Sequence, residues 1–496
     1  MHTSRSRFLL ILLLLSFLPL MGQTPHKREF RGTWIHTVGQ GKYAAMDQAT
    51  MKNYFIVLLD SLQRTGINTV IFQVRPEADA WFQSPYEPWS RYITGEQGKD
   101  PGWDPLAFMV EECHKRNMDL HAWLNPYRVR TSPEKTLIPD HLFFRNRWMF
   151  VEYGDYIWFD PGIPACRKHI LKIVRDIVER YDIDAIHMDD YFYPYPVEGQ
   201  RFDDSKSFKE YGLPMGFTEE TKADWRRENV NSLIRELYET IHQTKPWVRF
   251  GISPFGIYRN AGNGKNGSKT NGFTNYDGLY ADILKWIKEG WIDYVIPQLY
   301  WEIGHRVADY ETLICWWAAN RGQVALYIGQ DVVRTIKPDS LKRGQLNQKM
   351  VMAADMTEVT GHCFWPAYEL ENNAGGIVDS LKTTYFRYPA LHPADNSYDL
   401  IPPKPVRNLK QTTSEGLKVL SWQSPESGTE NDKASYYVVY GFKKSEEVNL
   451  NNPANIVSIS RDRRYVLPTK TPLKKFAVTA LDRFHNESKP ETIELK

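Results

Sequence analysis

Short apolar runs alternate with longer amphipathic stretches between about residues 30 and 388. Eight runs have the length and apolar character of buried strands: 31–35, 69–74, 120–124, 185–188, 249–252, 294–299, 324–328 and 361–364. Between the runs, apolar residues recur at helical spacing, most clearly at 51–64, 105–116, 167–181 and 221–242. Eight strand–helix units over about 360 residues predict an α/β fold, a (β/α)8 TIM barrel. A doubly wound open sheet is the alternative.

The pattern changes after Tyr388. Prolines cluster there, at Pro389, Pro393, Pro402, Pro403 and Pro405. Short alternating runs without helical period follow at 417–422, 436–442, 456–460 and 476–481, which predicts a small all-β sandwich. We therefore expect a barrel at 28–390, a Pro-rich linker at 391–402 and a β-sandwich at 403–496.

The first 22 residues have the pattern of an export signal. Arg5 and Arg7 precede the mostly apolar run 8–20, which is too short for a comfortable membrane span. We expect cleavage near Gly22 and Gln23, and a periplasmic or secreted protein. A lipid anchor is not expected, because no cysteine lies near the cleavage point, and no later segment is apolar enough to span a bilayer.

The composition narrows the functional classes. Lys and Arg number 62 against 60 Asp and Glu, which argues against a dedicated nucleic-acid binder. The four cysteines lack CxxC spacing and are expected to be single thiols rather than disulfides. The chain has 16 Trp, 28 Tyr and 23 Phe, enough either to fill cores or to line a cleft where flat rings stack on sugars.

Polar residues follow the inward phase of four predicted strands. Alternate side chains of a barrel strand face the interior, and TIM-barrel active sites lie at the carboxyl ends of the strands. The inward set is Gln73, Arg75 and Glu77; His121, Trp123 and Asn125; His187 and Asp189; and Gln298, Tyr300 and Glu302. Because barrel interiors are mostly aliphatic, this convergence predicts a functional site at the carboxyl end.

The acidic residues of this set are the catalytic candidates. Asp189 and Asp190 are the strongest, because adjacent acids repel and one of them can keep its proton near neutral pH. Glu302 and Glu77 come next. The structural alternatives are a capping pair for the aspartates and salt bridges for the glutamates, in particular between Glu77 and Arg75.

Substrate-binding candidates surround these acids. They are Arg75, Asn125, Tyr127, Arg128, Tyr191, Gln298, Tyr300, Trp301 and Trp365. Arg75 and Arg128 could hold a substrate carboxylate or form structural ion pairs. Asn125 and Tyr300 could bind hydroxyl or acetamido groups or brace loops.

Other chemistries find less support. His36, His121 and His187 show no HxH or HExxH spacing, so we expect buried, hydrogen-bonded histidines and neither a metal nor a cofactor. The stretch 262–272 lacks a phosphate-binding pattern, and no Gly-x-Ser-x-Gly elbow occurs.

Six motifs in order carry a family resemblance. They are EFRGTW at 29–34, NTVIFQVR at 68–75, DPL at 104–106, HAWLNPYR at 121–128, DPG at 160–162 and HMDDYFYP at 187–194. Together they resemble the glycosyl-hydrolase-like family 10 of bacterial exported proteins, over roughly 28–390. Separately, DRFHNES at 482–488 is similar to the last hairpin of fibronectin type III modules.

The resemblance implies a TIM-barrel hydrolase of cell-envelope glycans, with peptidoglycan strands the leading substrate. By this resemblance, Asp189 and Asp190 form the acidic centre. Arg75, Glu77 and Asn125 belong to the motifs that accompany it. Many members are lipoproteins, but this chain lacks the lipobox cysteine. A non-catalytic, glycan-binding barrel remains an alternative, with the sandwich as an adaptor for a protein or glycan partner, and so does a hydrolase of foreign polysaccharides.

Two mechanisms fit the acids. In the conventional route Asp189 is ionised and Glu302 or Glu77 is the general acid. In the other, the aspartate pair acts as a unit and the substrate's 2-acetamido oxygen is the nucleophile. The phase of the strand slightly favours the conventional route, because Asp190 falls out of phase with the inward side chains.

Overall fold

The computed structural model of the protein describes residues 26–262, 266–336, 345–394 and 399–495. The predicted export signal and part of the predicted linker lie outside these residues. In chain order, the strands of the larger region are β1 (Phe30–Ile35), β2 (Thr69–Arg75), β3 (Asp119–Leu124), β4 (Arg128–Arg130), β5 (Phe150–Tyr153), β6 (Tyr156–Phe159), β7 (Ala185–Met188), β8 (Arg249–Ile252), β9 (Tyr294–Val295), β10 (Ala325–Asp331) and β11 (Val359–Trp365).

Eight of these strands form a closed parallel barrel in the order β1-β11-β10-β9-β8-β7-β3-β2. Because β1 pairs with both β2 and β11, the prediction of a TIM barrel is confirmed and the open sheet is excluded. The strand predicted at 294–299 is shorter than expected, ending at Val295. Pro297 has no backbone N–H to donate to a neighbouring strand. Strands β4, β6 and β5 form a separate antiparallel sheet after β3.

The helices alternate with the barrel strands as predicted. In chain order they are α1 (Gly41–Ala44), α2 (Gln48–Thr65), α3 (Arg91–Thr94), α4 (Pro105–Lys115), α5 (Leu142–Arg145), α6 (Pro164–Arg180), α7 (Ser205–Ser207), α8 (Lys222–Thr244), α9 (Ile283–Lys288), α10 (Tyr310–Asn320), α11 (Val332–Ile336), α12 (Gln345–Ala354), α13 (Ala367–Glu371) and α14 (Ile377–Ser380). Side chains cap the N-termini of some helices. Asp47 accepts a hydrogen bond from the backbone N–H of Thr50 at the start of α2, and Asp104 accepts one from the backbone N–H of Ala107 at the start of α4.

The barrel interior holds aromatic and imidazole rings. The hydroxyl of Tyr294 is hydrogen-bonded to Nδ1 of His121 at 2.8 Å and to Nδ1 of His187 at 3.1 Å. Both histidines are fully buried and hydrogen-bonded, as expected from the sequence. Gly251 makes room for this arrangement, because a Cβ there would lie 1.9 Å from the Tyr294 ring.

The C-terminal region consists of two antiparallel sheets. Its strands are β12 (Arg407–Ser414), β13 (Leu417–Gln423), β14 (Tyr436–Lys443), β15 (Ile456–Ser460), β16 (Arg464–Val466), β17 (Leu473–Leu481) and β18 (Glu491–Glu494). The sheet β12-β13-β16 packs against the sheet β15-β14-β17-β18 around a buried core that includes Trp422, Tyr437 and Phe476. The all-β prediction is confirmed; that this region folds independently stays a prediction.

The C-terminal sheets contact the amino-terminal end of the barrel, which we call the base. The guanidinium of Arg483 pairs with Asp182 at 2.6 Å, and Nδ2 of Asn117 donates to the carbonyl of Ile459 at 2.7 Å. Leu391, in the predicted linker, forms a parallel bridge with Arg28. These contacts attach the first residues of the predicted linker and the sheets to the barrel.

A buried aspartate lies at this junction. Asp119 begins β3, and its Oδ2 is 2.9 Å from Arg249 Nη2, 3.2 Å from His485 Nε2 and 3.5 Å from His392 Nε2. Tyr436 is hydrogen-bonded to the other ring nitrogen of His485 at 2.9 Å. Residues from the barrel, the predicted linker and the C-terminal region thus share one polar cluster, which we call the base cluster.

Two further expectations concern the described residues. All four cysteines are unpaired thiols, and of these Cys315 is exposed while the others are buried. Among the helices that the structure describes, none combines the length and the apolar character needed to cross a bilayer.

Candidate active site

A cavity of about 290 Å³ opens among the loops at the carboxyl ends of the barrel strands. Of the catalytic and substrate-binding candidates, those that line it are Arg128, Asp189, Asp190, Tyr191, Gln298, Tyr300 and Trp365. The other lining residues are Trp34, His36, Val38, Gln73, Trp123, Tyr195 and Ser253. We call this space the active-site cavity.

Asp189 directly follows β7 and is held by two donors on one oxygen. Its Oδ2 accepts from Trp123 Nε1 at 3.1 Å and from Asn125 Nδ2 at 2.5 Å. Its Oδ1 is buried and has no hydrogen-bond partner among the described residues. Burial and the neighbouring charge of Asp190 raise the pKa of Asp189 to about 7, against the opposing effects of Arg128, Asn125 and the backbone N–H of Tyr191. Because Oδ2 is already occupied, Oδ1 is the oxygen left to carry a proton.

Asp190 has a different environment on both oxygens. The Tyr195 hydroxyl donates to Oδ2, and Gln298 Nε2 donates to Oδ1 at 3.2 Å. Burial raises the pKa of Asp190 above its ordinary value, while these two donors favour the ionised form. The two adjacent carboxyl groups are therefore distinguished by their partners, which is the usual way that a site separates an acid from a carboxylate.

A chain of amides orients the donor to Asp189. The Oε1 of Gln73 accepts from the backbone N–H groups of Thr37 and Val38, each at 2.9 Å. This fixes the Gln73 amide, whose Nε2 donates to Asn125 Oδ1 at 2.7 Å. Asn125 must then present its own Nδ2 to Asp189. β2 and β3 therefore impose the direction of the hydrogen bond on the acid.

Arg128 supports the same amide from the side. Its guanidinium donates to Asn125 Oδ1 and, through Nε, to the carbonyl of Pro76 at 2.8 Å. It also lies 5.1 Å from the centre of the Tyr191 ring. Arg128 therefore lines the cavity with two of its five N–H groups engaged by these two oxygens.

The histidines near the cavity are neutral bases at physiological pH. Burial lowers the pKa of His187 to about 3, and its Nε2 is hydrogen-bonded to Ser253 Oγ at 3.0 Å. Burial and the charge of Lys42 lower the pKa of His36 to about 4. A carboxyl group, rather than an imidazole, is thus the proton donor available near pH 7.

Aromatic rings wall the cavity. The ring centres of His36 and Trp365 are 4.7 Å apart, and those of Trp123 and Trp365 are 6.2 Å apart in an edge-on arrangement. Trp34 packs edge-on to Trp365 at 6.5 Å. Such flat apolar surfaces beside a few polar groups suit a ligand with both hydroxyl groups and C–H faces.

Arg75 and Glu77 do not line the active-site cavity. The pairing of β2 with β3 shifts register after Gln73, so the inward phase is lost before these two residues. Arg75 forms a buried bidentate pair with Glu87, at 2.8 and 2.6 Å. Glu77 accepts from the backbone and hydroxyl of Thr131, at 3.0 and 2.6 Å. Each has a structural partner, but they are not partners of one another.

Four other predicted residues also lie outside the cavity lining. Glu302 is half-buried two residues beyond Tyr300. Trp301 packs edge-on against Phe255 at 5.3 Å. Tyr127 is fully buried, and burial raises the pKa of its hydroxyl well above the ordinary value. Asn125 does not line the cavity either, but it touches Asp189 directly.

Some lining residues were missed although the sequence carried a signal. Trp34 and His36 continue the inward phase of β1, and Ser253 continues that of β8, so the same period-two rule would have found them. Tyr195 lies in a loop that turns back over Asp190, and no strand periodicity reaches it.

Comparisons with known proteins agree with this chemistry. A family model described as "Glycosyl hydrolase-like 10" matches residues 29–344. The chain is 38% identical to "Glycosyl hydrolase YngK" of Bacillus subtilis, with 97% of each chain covered. It is 36% identical to "Glycosyl hydrolase DigH" of Escherichia coli K12, over 67% of this chain and 81% of that one.

Solved structures are only distantly similar. The catalytic domain of a β-amylase from Paenibacillus polymyxa aligns with a TM-score of 0.49 and 12% identity, over 73% of this chain and 99% of that chain. The closed strand order, rather than this likeness, defines the barrel. From the family match and the near full-length relative, the chain belongs to the glycosyl hydrolase-like 10 family and is a glycoside hydrolase.

Proposed function

We propose that the protein cleaves glycosidic bonds in peptide-free strands of peptidoglycan, after export from the cytoplasm. The family resemblance implies a cell-envelope glycan, and the predicted export signal would bring the enzyme to it. The observation that carries the catalytic part of the proposal is the pair Asp189 and Asp190. Within the described part of the chain, one buried oxygen of Asp189 has no hydrogen-bond partner, and the pKa of this carboxyl is raised to about 7.

In the proposed reaction Asp189 is the general acid. It transfers its proton to the glycosidic oxygen as the bond to the anomeric carbon breaks. The carbonyl oxygen of the substrate's own 2-acetamido group attacks that carbon from the other side, and ionised Asp190 stabilises the positive charge that develops on the acetamido nitrogen. Water then opens the cyclic intermediate and returns a proton to Asp189.

This route is favoured over the conventional one by the placement of the glutamates. Glu77 is held by Thr131, and neither Glu77 nor Glu302 lines the active-site cavity. The aspartate pair supplies two carboxyl groups with separate environments, which the substrate-assisted route requires. Amino sugars supply the acetamido group, and both sugars of peptidoglycan strands carry one.

The test is a digestion of purified, peptide-free glycan strands with product identification by mass. We expect shorter oligosaccharides, retention of anomeric configuration, and inhibition by a thiazoline analogue of the 2-acetamido sugar. Starch and xylan, which lack the acetamido group, should remain intact. Cleavage of xylan at a rate comparable to that of the glycan strands would contradict the proposed substrate. Binding of the strands without any cleavage would support the non-catalytic alternative instead.

A further inference from the structure

A second cavity, of about 600 Å³, lies beside the active site, and we call it the outer cavity. Tyr153 of β5 bounds it on one side, residues 193–205 after β7 on another, and residues 278–280 after β8 on a third. All three segments follow the carboxyl ends of barrel strands. The outer cavity therefore lies at the same end of the barrel as the active site.

One loop forms a wall of both cavities. In the segment 190–196, Asp190, Tyr191 and Tyr195 line the active-site cavity, whereas its other lining residues, Tyr193, Pro194 and Pro196, line the outer cavity. The two spaces are thus separated by a single segment of chain. A single glycan strand that occupies both cavities has to cross this loop.

The outer cavity has a rigid aromatic wall. The Tyr193 ring packs edge-on against Phe202 at 5.6 Å and against Tyr280 at 5.0 Å. Phe202 also packs edge-on against Tyr153 at 5.8 Å. Tyr193 and Tyr153 are themselves buried and hold the half-buried rings of Phe202 and Tyr280 in place. These two rings lose little conformational entropy when a ligand covers them, which suits the C–H faces of sugar rings.

The cations of the outer cavity differ in their availability. Lys222 and Arg226 are both committed to the buried carboxylate of Asp204, at 2.9 and 2.7 Å. Arg201 is exposed and forms no ion pair with any described residue. It is therefore a guanidinium with its donors still available, unlike Arg75, which donates to Glu87 and to the carbonyls of Asn125 and Pro126.

Acidic residues line the outer cavity as well. Asp203 and Glu219 offset the charge of the cations, so a general attraction for polyanions is not expected. What remains is a local contact, in which one carboxylate meets the fork of Arg201. In peptide-free peptidoglycan, alternate sugars carry one lactyl carboxylate each, which matches a single guanidinium beside an aromatic wall.

We propose that the outer cavity is a second glycan-binding site that holds carboxylate-bearing sugars of the strand being cleaved, with Arg201 as the residue that recognises the carboxylate. The inference rests on the proposed function for the identity of the glycan. It assigns to Arg201 the role that the sequence suggested for Arg75 and Arg128.

The test compares Arg201→Ala and Arg201→Lys with the wild type on two substrates. These are peptide-free strands and the same strands with their carboxyl groups converted to amides. For Arg201→Ala we expect KM on the native strands to rise about tenfold with kcat unchanged, because the contact is made equally before and during the reaction. Arg201→Lys should recover part of the loss, and the amidated strands should not distinguish the three enzymes.

Arg64→Ala is the matched control. Arg64 is also an exposed arginine without an ion-pair partner among the described residues, but it lies in the last turn of α2, at the base of the barrel. Its substitution should change neither KM nor kcat. An equal KM for wild type and Arg201→Ala on native strands, in an active enzyme, would overturn the proposal and leave the hydrolase intact.

The reverse outcome is also distinguishable. If the wild type cleaves no glycan, affinity electrophoresis in gels that contain the native strands still tests the outer cavity. Retardation of the wild type that weakens in Arg201→Ala but not in Arg64→Ala would support the outer cavity while rejecting the proposed hydrolysis. Equal retardation of all three proteins would reject the outer cavity as well.

Discussion

Two aspartates at opposite ends of the barrel have the same exposure and opposite chemistry. Asp189 at the carboxyl end and Asp119 at the base are each 5% exposed. Burial by itself raises the pKa of both. The pKa of Asp189 rises to about 7, whereas the charges of His392, His485 and Arg249 hold the pKa of Asp119 well below its ordinary value.

The difference shows that the partners of a buried acid, rather than its burial, decide its role. Asp119 has a guanidinium and an imidazole within hydrogen-bond distance and is closed in by the C-terminal sheets. Asp189 has an acidic neighbour and one oxygen that no side chain or backbone group of the described residues bonds. The base cluster is thus organised for stability, and the active site retains an unfavourable interaction that a substrate can use.

The largest expected effect is on stability at the base. Asp119→Ala leaves Arg249 and His485 buried without their carboxylate, so the free energy of unfolding should fall by roughly 3–5 kcal/mol. Chemical denaturation at pH 7 measures it, and kcat of the folded fraction should not change. The control is Asp140→Ala, which breaks the exposed pair with Arg145 and should cost less than about 1 kcal/mol. An equal loss of unfolding free energy in both variants would contradict the stabilising role assigned to Asp119.

The next effect is on the rate. Asp189→Asn removes the proposed acid, and kcat on peptide-free strands should fall at least ~10²-fold. Stability should move the other way. Ionised Asp189 destabilises the fold above its raised pKa, so the variant should gain at least ~1 kcal/mol at pH 8 and less at pH 5. Asp190→Asn is measured in parallel. Normal turnover by Asp189→Asn would show that the general acid is misassigned.

A smaller effect concerns pH. A general acid with a pKa of about 7 acts in its protonated form, so the active fraction should be about half near pH 7 and decline as the pH rises. We expect kcat/KM of the wild type to fall about tenfold per unit on the alkaline side. The check is a profile on peptide-free strands between pH 5 and 9. A rise in activity between pH 7 and 9 would exclude Asp189 as the proton donor.

The smallest effects are expected at the two glutamates. Glu77→Gln keeps an acceptor for Thr131, and Glu302 lies outside the cavity lining, so each Gln variant should retain kcat within about threefold. Steady-state kinetics on the same strands measure this. A loss of ~10²-fold in either variant would restore the conventional two-carboxylate route.

Strand periodicity predicted the barrel and the centre of its site. The inward phase correctly placed Gln73, Trp123, Asp189 and Gln298, because pleating forces alternate side chains to one face. It failed after Gln73, where the register shifts and Arg75 turns toward Glu87. This one-residue shift in register depends on how β2 pairs with β3, and the local sequence of β2 does not encode that pairing.

Contacts between distant segments could not be predicted. Tyr195 reaches Asp190 only because its loop folds back, and the base cluster joins Asp119 to His392 and His485, hundreds of positions along the chain. No residue pattern within a single strand or helix predicts contacts between side chains so far apart in the sequence. The tertiary fold alone brings these side chains together.

Strand β3 has a consequence for how the chain can vary. Its six residues begin with Asp119 in the base cluster, and Asn125, which orients the acid, follows directly after them. Deleting one residue inside β3 would turn Trp123 and Asn125 to the outer face or pull Asp119 away from Arg249. Substitutions at outward positions leave that spacing intact. We therefore expect insertions and deletions in this strand to disrupt folding and catalysis together.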